Sequence, residues 1–126
     1  MILQEQNFSR IVSGAFQTFK NLKYLDLSYC NVAAIDEFAL DDNKMLDTIY
    51  LSGNSLEHIP SLFQSSDNSL LSLTLRHNMI SSLDSQNMNN MFYLDVDYNL
   101  MTQVEVSQVL AYMPRLREVL TRKKKV

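Results

Sequence analysis

Asp95 and Asp97 lie two residues apart in Tyr93-Leu94-Asp95-Val96-Asp97, so on an extended strand both carboxylates project from one face, where such a pair can divide acid and base work. His58 and His77 are the only histidines and Cys30 the only cysteine, and no H-x-x-x-H or C-x-x-C spacing is present to collect a zinc ion. Asp41-Asp42 lacks the further oxygen ligands of a calcium loop. Gly14 and Gly53, the only glycines, are too few for a phosphate-cradling loop or a dinucleotide fingerprint. No nucleophile, base and orienting group can be assembled from these residues. The reading is a non-enzymatic protein that needs no cofactor and no metal.

The elements that must position these side chains repeat along the chain. Leu22-Lys-Tyr-Leu25-Asp-Leu27-Ser-Tyr-Cys30-Asn-Val32 aligns with Leu46-Asp-Thr-Ile49-Tyr-Leu51-Ser-Gly-Asn54-Ser-Leu56 and with Leu70-Leu-Ser-Leu73-Thr-Leu75-Arg-His-Asn78-Met-Ile80. All three fit L-x-x-L-x-L-x-x-N/C-x-L. A fourth copy, Met91-Phe-Tyr-Leu94-Asp-Val96-Asp-Tyr-Asn99-Leu-Met101, begins 21 residues after the third, where the earlier spacings are 24. A second apolar landmark falls three residues after each copy, at Ile35, Ile59, Leu83 and Val104, and the same spacing joins Phe8 to Ile11. The single domain 1–126 therefore divides into a partial repeat over 1–21, complete repeats over 22–45, 46–69, 70–90 and 91–115, and a degenerate last strand with a basic tail over 116–126.

This pattern resembles that of leucine-rich repeat proteins over nearly the whole chain. The 24-residue spacing, Gly14-Ala15-Phe16 before Leu22 and Ile59-Pro60 after Leu56 are most similar to the extracellular class found in Toll-like receptors, Slit-like proteins and insect leucine-rich immune proteins. The resemblance implies an α/β fold, a right-handed leucine-rich repeat solenoid with a parallel sheet on its concave face. It also implies a receptor or secreted recognition protein, with innate immunity as one setting. Families of this class close their ends with disulfide-bonded caps, which one cysteine cannot build, so self-association through uncapped ends is expected.

Within each copy the strand alternates, so Leu73 and Leu75 point inward while Ser72, Thr74 and Arg76 point outward. The outward residues of the four copies predict a protein-binding face. Tyr24, Asp26, Tyr50, Arg76, Tyr93, Asp95 and Asp97 lie on it, with Leu71 and Phe92 adjacent on its rim. Tyrosine suits recognition because it combines large area with a polar tip, and the carboxylates favour a basic partner. Arg76 also stands at the repeat position of Asp97, about one strand spacing of 4.8 Å away, which reads as a salt bridge. Asn54, Asn78 and Asn99, with Cys30 in the first copy, stand where the chain leaves the strand and are expected to form a structural ladder. Thr102 as N-cap, with Val106, Val109, Leu110 and Met113 at helical spacing and Pro114 after them, predicts a short helix.

Charge and compartment are less decisive. Residues 1–114 carry a net charge of −8, whereas the last twelve carry +5 through Arg115, Arg117, Arg122, Lys123, Lys124 and Lys125 against Glu118. Without an aromatic residue beyond Tyr112 to stack on a base, this end reads as a solvated tail, and nucleic acid is not the expected partner. No apolar stretch approaches the roughly 20 residues of a membrane span. Asn7-Phe8-Ser9 is a candidate glycosylation site and favours an extracellular or secreted protein. The alternatives are a cytoplasmic scaffold, consistent with a start that lacks a signal sequence, and a structural fragment of a larger protein.

Overall fold

The computed structural model describes residues 1–3 and 8–123. The candidate glycosylation residue Asn7 and the tail residues Lys124 and Lys125 lie outside them. The chain winds into a solenoid in which each copy contributes one short strand to a common parallel sheet. The strands are β2 (Tyr24–Asp26), β4 (Thr48–Tyr50), β6 (Ser72–Thr74), β8 (Tyr93–Asp95) and β9 (Glu118–Leu120), in that spatial order. Leu25 sits beside Ile49, Ile49 beside Leu73, Leu73 beside Leu94 and Leu94 beside Val119. Ahead of β2, Ile2 bridges Asp26 in parallel, so Met1–Leu3 takes the place of one more strand.

The inward residues account for the register. Leu25, Leu27, Ile49, Leu51, Leu73, Leu75, Leu94 and Val96 are all buried, as are Leu46, Leu70 and Met91 before the strands and Val32, Leu56, Ile80 and Met101 after them. A one-residue slip would turn each strand's apolar set toward solvent, and each such side chain contributes about 1.5–3 kcal/mol on burial.

On the opposite side of the coils, β1 (Arg10–Ile11) pairs with β3 (Ala34–Ile35), and β5 (His58–Ile59) pairs with β7 (Ser82–Leu83). Each buries one residue of the second apolar landmark, Ile11, Ile35, Ile59 or Leu83. The fourth copy departs from this. There Thr102 caps α1 (Gln103–Leu110) through a capping box with Glu105, and Val104 is 67% exposed instead of entering the core. A helix replaces the two-residue strand, so inward positions pass to Val109, buried, and to Val106 and Leu110, partly buried.

Candidate functional site

The asparagines at the strand exits tie each coil to the one before it. Asn54 Oδ1 accepts from the backbone N–H of Cys30 (3.0 Å) and Val32 (2.9 Å), while its Nδ2 donates to the carbonyls of Leu27 (3.0 Å) and Leu51 (2.9 Å). Asn78 repeats the arrangement with Leu56 N–H and the carbonyls of Leu51 and Leu75. Asn99 does so with Ile80 N–H and the carbonyls of Leu75 and Val96. Cys30 holds the equivalent position with its thiol directed to the Leu3 carbonyl at 2.8 Å. A second row of amides on the loops before the strands had no regular spacing to betray it. Asn43 donates to the carbonyls of Phe16 and Phe19, Asn68 to Ser65 and Asn87, and Asn90 to Asn68.

The residue just before each ladder position has a left-handed backbone: Tyr29 (φ 56°), Gly53 (φ 68°), His77 (φ 57°) and Tyr98 (φ 60°). Tyr29, His77 and Tyr98 carry side chains at this turn, and Gly53 leaves room there for the Tyr29 ring. The His77 and Tyr98 rings stack 4.6 Å apart, and Arg76 and Arg122 both lie over the Tyr98 ring, 5.6 and 5.3 Å from its centroid.

The outward strand residues do not form the acidic surface that alternation alone predicts. Asp26, Asp95 and Asp97 are 6%, 1% and 0% exposed. Two causes act. Asp26 and Asp95 turn back along the chain to accept the N–H of the residue two ahead, Ser28 (2.9 Å) and Asp97 (3.0 Å), where the strands end. Arginines then cover the second pair. Arg76 Nε lies 3.4 Å from Asp95 Oδ2 and its Nη2 lies 3.8 Å from Asp97 Oδ2. Arg122 grips Asp97 more closely, donating its backbone N–H to Oδ1 and its Nη2 to Oδ2, both at 2.6 Å. Arg122, expected in a solvated tail, is thus the closest partner of a buried carboxylate.

These contacts split the two acids. Burial works against the charge of Asp97, but the side-chain and backbone hydrogen bonds from Arg122, with the attraction of Arg122 and Arg76, hold its carboxyl below the ordinary range. Burial raises Asp95, aided by the charge of Asp97, against the lowering pull of the Asp97 N–H, Arg76 and Tyr93.

What the face offers to solvent is chiefly tyrosine. The Tyr24 and Tyr50 rings meet at 5.4 Å with a 54° tilt, and Tyr93 is half-buried on the same face. Burial and neighbouring acidic groups raise the phenols of Tyr24 and Tyr93, so both remain hydrogen-bond donors at neutral pH. Leu71 and Phe92 on the rim are 46% and 52% exposed. The residues considered for chemistry are engaged otherwise: His58 Nδ1 lies 2.6 Å from Ser82 Oγ, Asp41 accepts from Gln64 N–H, and Asp42 faces Lys20 at 3.9 Å.

Stacked coils with one parallel strand each, tied by a buried amide ladder and presenting an ordered face of side chains, define a solenoid of the recognition type. The sequence comparisons supply the family. A model described as leucine rich repeat matches residues 1–56. Lumican from Homo sapiens is 32% identical over 97 residues, covering 74% of this chain and 28% of lumican, and lumican from Oryctolagus cuniculus is 31% identical over the same length, covering 49% of that protein. Leucine-rich repeats and immunoglobulin-like domains protein 1 from Homo sapiens is 34% identical over 83 residues, covering 64% of this chain and 8% of that protein. The chain is a leucine-rich repeat protein with repeats of the extracellular type. It spans less than half the length of the curated relatives it matches.

Proposed function

We propose that this chain is a non-enzymatic protein-binding module of an extracellular recognition or receptor protein, and that its sheet face is the contact surface. The observation that carries this reading is the Tyr24–Tyr50 ring pair, with Tyr93 on the same face, held on strands whose register is fixed by the buried leucines. Rigid aromatic side chains with a donor at the tip bind at low entropic cost. The extracellular setting rests on the repeat class and on the sequon at Asn7. Innate immunity is the narrower setting implied by likeness to Toll-like and insect immune proteins.

The triple variant Tyr24→Ala, Tyr50→Ala, Tyr93→Ala tests the face. With an unchanged circular dichroism spectrum, it is expected to weaken binding to partners isolated with the parent chain by about two orders of magnitude, the equivalent of a small hot-spot cluster. Undiminished binding by the folded variant would remove the face from consideration. Mass spectrometry of native material for glycan on Asn7 tests the compartment, and a glycosylated peptide is the expected finding.

A further inference from the structure

The rim beside the tyrosine face has a chemistry of its own. Phe92 N–H donates to the Leu71 carbonyl (2.7 Å) and Arg117 N–H to the Phe92 carbonyl (2.9 Å), so Leu71, Phe92 and Arg117 stand in one column on three successive coils. All three side chains are exposed. Phe92, Pro114, Arg115, Leu116 and Arg117 enclose an open cavity of about 530 Å³. Arg115 is steadied there by one hydrogen bond, from Nη1 to Asn90 Oδ1 at 3.0 Å, which leaves most of its donors available. Among the described residues the Arg117 side chain has no hydrogen-bond or ion-pair partner.

The charge around this cavity is the reverse of what the strand sequence advertises. Asp95 and Asp97 are buried and matched by Arg76 and Arg122, so they present no acid to a partner on this side. Arg115 and Arg117 remain exposed beside the cavity, against Glu118. An apolar pair flanked by two guanidinium groups complements a segment in which an apolar side chain stands next to carboxylates. Planar guanidinium groups bind carboxylates through paired hydrogen bonds, and Leu71 with Phe92 supplies area that a purely charged ligand would not use.

We propose that the rim cavity formed by Phe92, Arg115 and Arg117, with Leu71 beside Phe92 on the preceding coil, is a second binding site, which takes an acidic peptide segment of a partner protein anchored by an apolar side chain. It is independent of the tyrosine face and would stand if that face had no partner.

The test uses a fluorescein-labelled peptide of glutamate pairs flanking leucine and phenylalanine, followed by anisotropy on the whole chain. Saturable binding that weakens with salt is expected, reduced about tenfold or more by Arg117→Glu and by Phe92→Ser and unaffected by the tyrosine triple variant. Chemical-shift changes in the parent chain should centre on Phe92 and residues 114–117, which locates the site without relying on variants that fold. Three results overturn the proposal: equal binding of the glutamine-substituted peptide, equal binding of a peptide with alanine in place of the apolar residues, or binding of a sulfated oligosaccharide where the peptide fails.

Discussion

Asn78 holds two coils at once: its carbonyl oxygen accepts from Leu56 on the preceding coil, and its amide nitrogen donates to Leu51 there and to Leu75 on its own. Replacing it with alanine strands buried backbone groups at about 1–3 kcal/mol each, so Asn78→Ala is expected to lower the unfolding free energy by about that much per stranded group, read as a lower urea midpoint with little change in slope. The carboxylates of the fourth copy make a different prediction, because their shifts have opposite signs. Asp97 sits below the ordinary range, so its contribution is present above the unfolded value near pH 4 and is lost as pH falls through the lower folded value. The Tm gap between the parent and Asp97→Asn should therefore be wide at pH 7 and close toward pH 3. Asp95 is raised, so its contribution is fullest in acid and is lost as pH rises through its folded value; Asp95→Asn should cost less at pH 7 than Asp97→Asn does. Strand alternation placed Asp26, Asp95 and Asp97 on the correct face but said nothing about cover. Their burial depends on a bond back to the same chain and on arginines one coil away, which a local pattern does not contain.

At the scale of elements, the sheet strands and the capped helix were legible because each carries its own periodicity and boundary residues. The two-residue strands opposite the sheet were not, since two residues have no period; only the spacing of Ile11, Ile35, Ile59 and Leu83 marked them. The same spacing misled at Val104, where the capping box starts a helix and the local preference overrides the register. The turn that leaves each strand is the shared element, and its left-handed residue is glycine only in the second copy. A Cβ on Gly53 would fall 2.2 Å from Cε1 of Tyr29. Gly53→Ala should destabilise through both that clash and a left-handed alanine, the latter about 1 kcal/mol. Because Tyr29 is exposed, Tyr29→Ala combined with Gly53→Ala should recover the steric part and leave the backbone part, giving a melting temperature between those of the parent and the single Gly53 variant.

For the molecule as a whole, every coil leans on its neighbours, so stability is distributed by position in the stack. Leu73→Ala, in the central strand β6, should shorten amide protection across the sheet, since it opens a cavity costing about 2–5 kcal/mol between two coils. Val119→Ala, on the outermost strand β9, should shorten protection mainly within that strand, and hydrogen exchange separates the two outcomes. Pairing distances along the chain are 24 residues between β2 and β4 and between β4 and β6, 21 between β6 and β8, and 25 between β8 and β9, yet Leu, Ile or Val meets its counterpart at every step. All variation in length is absorbed away from the sheet. Residues 46–69 should therefore be removable as a unit: with Met45 joined to Leu70, Leu73 would fall beside Leu25 and the Asn78 amide would meet the Leu27 carbonyl that Asn54 now holds. A chain lacking residues 46–69 is expected to fold with one coil fewer, which circular dichroism and hydrogen exchange would show as a retained sheet with one protected strand missing.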